Sequence, residues 1–143
     1  MTLRGLEFVA ATTLVAELGD LSRFAHPKQL MSFLWLVASE YSAGESRILG
    51  KITKAGKSHV RRTLIESAWA YRFPARMSRE LVVRQEGQPK AVRDIDWRAQ
   101  LRLGCRYRRL PARGVHPNKA HVAIARELAG CIWDVARQVP TVT

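Results

Sequence analysis

Apolar residues of this chain recur three and four positions apart, and this spacing limits its fold more than any other sequence feature. One stripe lies near the start of the chain and another lies near its end. They consist of Phe8, Ala11, Val15 and Leu18, and of Ala125, Leu128, Ile132, Val135 and Val139. Each stripe places its apolar side chains on one face of a helix. No stretch shows β-branched residues alternating between turn signals. We therefore expect an all-α fold.

Prolines and one serine indicate where helices begin. Pro27 and Pro117 have the residue type that the first turn of a helix tolerates best. Ser58 has the residue type of a helix N-cap. Pro89 precedes a helical pattern that reaches about Ala112. The sequence thus predicts a bundle whose longest helices lie in its second half.

The periodicity fails between these helices, over residues 38–57. Gly44, Gly50 and Gly56 recur there among serines and threonines. This composition predicts a long Gly/Ser-rich loop, and loops of that length are commonly functional or disordered. Because the whole chain has 143 residues, about the size of one domain, we expect residues 1–143 to form a single domain that includes this loop.

The charge of the chain is strongly positive and unevenly distributed. Lysine and arginine number 24 against 12 acidic residues, a formal net charge of +12. Eighteen of the basic residues and only five acids lie between Arg47 and Arg113, so this stretch carries +13. Excess charge in one region favours a polyanionic partner, DNA or RNA, over an anionic membrane. A ribosomal-type protein or a merely soluble basic domain is the alternative.

Several other classes of protein are disfavoured. No apolar run reaches the roughly 20 residues of a membrane span, and the start of the chain lacks a signal-peptide pattern. The two cysteines, Cys105 and Cys131, are too few for a disulfide or zinc framework. His116 and His121 lie five residues apart without a third metal-binding residue nearby, so we expect no metal site and no bound cofactor. A reducing cytoplasm is the expected compartment.

Two groups of basic residues are candidates for phosphate contact. The first surrounds the start of the third helix, where backbone amides also favour anions. It consists of Lys51, Lys54, Lys57, Arg61 and Arg62. The second repeats at helical spacing along the long helix, and we call it the arginine stripe. It consists of Arg98, Arg102, Arg106, Arg109 and Arg113. A solvated charged surface is the alternative for both groups.

One serine is a candidate nucleophile. Ser42 lies in the predicted loop, near Gly44 and just before the basic stretch. A hydroxyl beside a flexible glycine and clustered cations has the components needed to attack a phosphodiester. Most serines in loops are simply solvated, which is the alternative here.

Motifs along nearly the whole chain resemble the C-terminal domain of IS110-type insertion-sequence transposases, relatives of the Piv invertases. They are LRGLE at 3–7, AELGD at 16–20, LVASEYSAGE at 36–45, GKITKAG at 50–56, SHVRR at 58–62, ESAWAY at 66–71, PKAV at 89–92, RYRR at 106–109 and PNK at 117–119. The resemblance implies a helix-hairpin-helix-like start, at Gly5-Leu6-Glu7. It also implies DNA as a partner, with an element-encoded guide RNA and further transposase chains. The same resemblance implies that the cytoplasm is bacterial and that the protein associates with the nucleoid.

The resemblance also implies what this chain lacks. The family serine nucleophile maps to Ala43, not to Ser42. Family members carry an N-terminal RuvC-like nuclease domain whose four acidic residues hold magnesium, and this chain has no matching stretch. We therefore expect a DNA-binding domain from a truncated and catalytically incomplete transposase. The alternative is a non-catalytic regulatory remnant that binds DNA or RNA.

Overall fold

The computed structural model describes residues 2–34, 36, 40–43, 46–49 and 58–138, with the backbone alone for 40–43 and 46–49. Six α-helices account for most of this part of the chain. They are α1 (Phe8–Leu18), α2 (Pro27–Phe33), α3 (Ser58–Ala68), α4 (Arg79–Gln85), α5 (Lys90–Ala112) and α6 (Pro117–Gln138). Short 3₁₀ turns follow α1 at Leu21–Arg23 and α3 at Trp69–Arg72. The all-α prediction is confirmed.

Helix α6 lies at the centre of the bundle and packs against α5, α3 and α2. Its buried side chains include Ile124, Leu128, Ile132 and Val135, which follow the spacing of the C-terminal stripe. Leu64 of α3, Leu103 of α5 and Leu30 of α2 complete the core around them. Removal of these side chains from water is the main source of the stability of the bundle.

The starts of the helices follow the sequence signals. Pro27 and Pro117 are the first residues of α2 and α6, and Ser58 is the first residue of α3. Helix α5 begins at Lys90, directly after Pro89, which stands at its N-cap. Helix α4 begins after Ser78, whose hydroxyl accepts a hydrogen bond from the backbone N–H of Leu81 at 3.2 Å.

A short hairpin corrects the prediction of an unstructured loop over 38–57. Strands β1 (Glu40–Ala43) and β2 (Ser46–Leu49) pair antiparallel, with Glu40 opposite Leu49 and Ala43 opposite Ser46. This register leaves the two residues Gly44 and Glu45 between the strands. A glycine first in such a pair is a common signal for a two-residue hairpin connection. The rest of the predicted loop, residues 38, 39, 44, 45 and 50–57, lies outside the described residues.

The turn before α1 requires a glycine. Gly5 has a φ of 84°, a region that residues with a Cβ rarely adopt. A Cβ at this position would lie 2.5 Å from the carbonyl oxygen of Ser67, so no side chain fits between the turn and α3. The predicted helix-hairpin-helix-like start thus corresponds to a tight turn packed on α3.

Candidate nucleic-acid interface

The arginine stripe lies on a single exposed face of α5. All five of its members are exposed. At about 100° per residue, their positions fall within an arc of roughly 80° around the helix axis. The buried face of α5 adjoins the stripe, since Val92, Ala99 and Leu103 pack into the core. Four of the arginines lie within α5, and Arg113 is its C-cap residue. The stripe is therefore a continuous cationic ridge along one edge of the bundle.

Two members of the stripe are paired with an acid of α6. Oε2 of Glu127 lies 3.1 Å from Nη2 of Arg102, and Oε1 of Glu127 contacts Nη1 of Arg106. The side chain of Glu127 is only 9% exposed, whereas those of Arg102 and Arg106 are 72% and 48% exposed. The pair with Arg102 has the distance of an ion pair without the angles of a hydrogen bond. Each guanidinium therefore keeps most of its five N–H donors directed elsewhere.

The other three arginines of the stripe have no acidic partner among the described residues. Arg98 donates from Nε to the backbone oxygen of Asp94 at 3.3 Å, which leaves its charge unpaired. In the described part of the chain, the side chains of Arg109 and Arg113 form neither a hydrogen bond nor an ion pair. Like charges on one face repel each other unless an anion lies along them. These three arginines are therefore the ones best placed to take up an anion.

Of the basic residues predicted around the start of α3, the structure describes only Arg61 and Arg62. Lys51, Lys54 and Lys57 lie outside the described residues. Arg62 is exposed and pairs with Glu66 one turn later, with 3.1 Å between Nε and Oε1. Arg61 is only 8% exposed, so it does not belong to an exposed phosphate-binding surface. Its position three residues before the buried Leu64 is the sequence signal for this burial.

The candidate nucleophile lies in the hairpin. Ser42 is opposite Arg47 in the register, and Ala43 is opposite Ser46. Both positions therefore lie on a strand rather than in an unstructured loop.

The histidines have structural partners. Nδ1 of His121 lies 2.8 Å from the carbonyl oxygen of Pro117, so this nitrogen carries the proton, and Nε2 then accepts a hydrogen bond from the hydroxyl of Tyr107 at 2.8 Å. The imidazole also stacks on Trp69, with 4.7 Å between the ring centroids. Nδ1 of His59 lies 2.6 Å from Oε1 of Glu17 and links α3 to α1. The described residues contain no group of three side chains that could hold a metal ion.

Sequence reasoning missed Glu127, which pairs with two arginines of the stripe. It lies 21 residues beyond Arg106 on a different helix. Its spacing within α6, one residue before the buried Leu128 and three after the buried Ile124, places it at the edge of the apolar face. An acid at such an edge, facing a basic helix, is the signal that could have identified it.

Both cysteines are free, and they differ in environment. Cys105 is exposed on α5. Cys131 lies near the stripe, in a groove of about 520 Å³ that Arg98, Arg102 and Asp134 also line. Burial raises the pKa of the Cys131 thiol to about 11. Cys131 is thus a protonated thiol at neutral pH.

Comparisons with known proteins agree with the sequence motifs. Residues 1–81 match the model of the IS116/IS110/IS902 family of transposases. The chain is 47% identical over 141 residues to a protein of Sinorhizobium fredii named as transposase y4qE, an alignment covering 99% of this chain and 36% of that protein. It is 28% identical over 108 residues to the transposase for insertion sequence element IS1533 of Leptospira borgpetersenii, covering 75% of this chain and 31% of the relative.

The comparisons also define which family the chain belongs to and how much of its relatives it covers. No solved structure matches the chain, and no helix among the described residues is long and apolar enough to cross a membrane. The chain spans about a third of the length of the curated relatives named above. With more than half of its residues matched by the family model, the chain belongs to the IS116/IS110/IS902 family of transposases.

Proposed function

We propose that this chain is a DNA-binding domain of an insertion-sequence transposase and that the arginine stripe of α5 follows the phosphate backbone. The single observation that supports this most is the exposure of all five stripe arginines, four on one face of α5 and Arg113 at its C-cap. The stripe runs from Arg98 to Arg113 and is about 22 Å long, which is about two thirds of one turn of duplex DNA. A ridge of that length can contact a few successive phosphates.

Contact with phosphates fixes position on DNA but does not read its sequence. Every stripe residue is an arginine, whose planar fork suits phosphate oxygens. We therefore propose that this surface supplies affinity, and that target choice is made elsewhere. An element-encoded guide RNA and a longer transposase chain are the partners we propose for that step.

We also propose that the chain alone does not cut DNA. A serine recombinase step needs a hydroxyl aligned with the scissile phosphorus and a group that takes its proton. The family position of that hydroxyl is Ala43, which has none. By the family resemblance, magnesium is expected in a separate nuclease domain. Chemistry therefore requires other protein segments.

A binding measurement with unrelated sequences tests this proposal. Fluorescence anisotropy should give similar Kd values for two duplexes of unrelated sequence. The ratio of these two values should be far below the roughly 10³-fold difference that separates specific from non-specific binding. An RNA duplex of equal length serves as a third ligand. Tighter binding to RNA than to both DNA duplexes would favour the RNA-binding alternative, and no binding at low salt would contradict the proposal.

A further inference from the structure

Glu127 lies between the stripe and the core, and its burial determines what it can do. Its side chain is 9% exposed, with one carboxylate oxygen directed to Arg102 and the other to Arg106. A buried carboxylate needs a cationic partner, because charge without water or a counter-ion is strongly unfavourable. The two arginines and Glu127 therefore stabilise each other's positions between α5 and α6.

The three charges of this cluster sum to +1, from two guanidinium groups and one carboxylate. Arg102 and Arg106 together should thus neutralise about one phosphate rather than two. Arg98, Arg109 and Arg113, which have no acidic partner among the described residues, should neutralise one each. The charge of the stripe available to a polyanion is then about +4, although five arginines line it.

We propose that Glu127 is a built-in counter-ion of the arginine stripe, which fixes Arg102 and Arg106 against α6 and lowers the charge that they offer to nucleic acid. The proposal rests on the function proposed above. Glu127 is a positioning residue in this account, since it acts through the two arginines and does not touch the ligand. Each guanidinium uses one edge for Glu127 and leaves its other N–H groups for a phosphate.

The counter-ion makes a quantitative prediction for salt dependence. The slope of log Kobs against log salt is about −0.9 for each phosphate neutralised on duplex DNA. Replacement of Glu127→Gln keeps the shape of the side chain and removes its charge. The slope should become steeper by about 0.9, so that affinity falls about threefold more than in the unchanged protein between 50 and 200 mM salt.

Glu86→Gln is the matched control, because it makes the same change of charge at an exposed residue after α4. Its slope should stay close to that of the unchanged protein. Equal slopes for the two variants would overturn the proposal, since net charge alone would then explain the effect. A shallower slope for Glu127→Gln would also overturn it, because Glu127 would then act mainly by supporting the arginines.

A second measurement needs no change at Glu127, and it decides the matter if Glu127→Gln fails to fold. Phenylglyoxal modifies accessible arginines, and mass spectrometry of the unchanged protein gives the rate for each one. Arg102 is 72% exposed, so slow modification cannot be attributed to burial. We expect Arg102 and Arg106 to react several-fold more slowly than Arg109 and Arg113 without nucleic acid, and equal rates would overturn the proposal.

The two proposals can fail separately. If none of the proteins binds duplex DNA at low salt, the proposed function is wrong, while the phenylglyoxal rates still test the counter-ion. If the unchanged protein binds DNA and Glu127→Gln has the same slope, only the counter-ion is wrong.

Discussion

The backbone N–H of Arg4 donates a hydrogen bond of 2.9 Å to Oδ1 of Asp96, a residue of α5 that is 92 positions later in the sequence. Asp96 is fully buried, and its other oxygen accepts from the side-chain amides of Gln85 at 2.8 Å and Gln100 at 3.0 Å. The hydroxyl of Tyr71 donates to the carbonyl oxygen of Arg4 at 2.7 Å. Asp96 thus joins the start of the chain and α4 to the helix that carries the stripe.

Replacement of Asp96→Ala should strongly destabilise the fold. The change removes the acceptor of two buried side-chain amides and of one partly buried backbone N–H, and an unpaired buried donor costs about 1–3 kcal/mol. We expect the free energy of unfolding to fall by about 3–5 kcal/mol, measured by urea denaturation followed by circular dichroism. Asp94→Ala, at an exposed position on the same helix, should change it by less than about 0.5 kcal/mol. Similar losses in both variants would show that the Asp96 network is not important for stability.

The half-buried thiol of Cys131 predicts a loss of stability at alkaline pH. Burial raises the pKa of Cys131 from 9.0 to about 11. Below pH 9 the thiol is protonated in both folded and unfolded chains and contributes no pH dependence. Between pH 9 and 11 the unfolded chain releases its proton first, so the free energy of unfolding falls as pH rises. Each pKa unit corresponds to about 1.4 kcal/mol, which gives an upper limit of about 3 kcal/mol.

Burial also raises the pKa of Tyr71, so Tyr71 further lowers the free energy of unfolding at higher pH. Comparison with Cys131→Ala separates the contribution of the Cys131 thiol from that of Tyr71. Urea denaturation at pH 8 and pH 11 should show a smaller decrease for Cys131→Ala than for the unchanged protein. Cys105→Ala, at the exposed cysteine, should behave like the unchanged protein. An identical decrease in all three proteins would contradict the assignment to Cys131.

The alanine at position 43 of the hairpin predicts that this chain forms no covalent bond with DNA. Because position 43 is an alanine, we expect no covalent adduct between this chain and DNA, with magnesium or without. Mass spectrometry after digestion would detect a nucleotide linked to serine. Ala43→Ser should also form no adduct by itself, since a hydroxyl alone lacks an alignment and a proton acceptor. An adduct at Ser42 in the unchanged protein would show that the nucleophile has shifted by one residue.

Local signals in the sequence were sufficient for all the helices except α4, which was not predicted. Pro27 and Pro117 each became the first residue of a helix, because a proline there gives up no hydrogen bond. The hairpin was missed because each strand has only four residues and only β1 alternates polar and apolar types. That alternation, followed by Gly44 in the sequence, was the usable signal.

Long-range pairing is what the sequence could not supply. Asp96 pairs with a residue 92 positions away, and Glu127 contacts a residue 21 positions away on another helix. Neither separation along the sequence is a helical repeat. Periodicity therefore predicts which face of its helix each carboxylate lies on, but not the residue that it contacts. The same limit applies to the stripe: its five positions were predictable, whereas the partial neutralisation of two of them was not.

The salt dependence of DNA binding by a variant with three arginines replaced shows whether the stripe contacts the phosphate backbone. Arg98, Arg109 and Arg113 are the residues to replace with alanine, because changing Arg102 and Arg106 would leave Glu127 without its cations. The control replaces Arg76, Arg79 and Arg126, which are exposed outside α5. The account predicts that the log–log slope becomes shallower by about 2–3 in the stripe variant and stays nearly unchanged in the control. An equal slope in the unchanged protein and the stripe variant would contradict the claim that α5 follows the phosphate backbone.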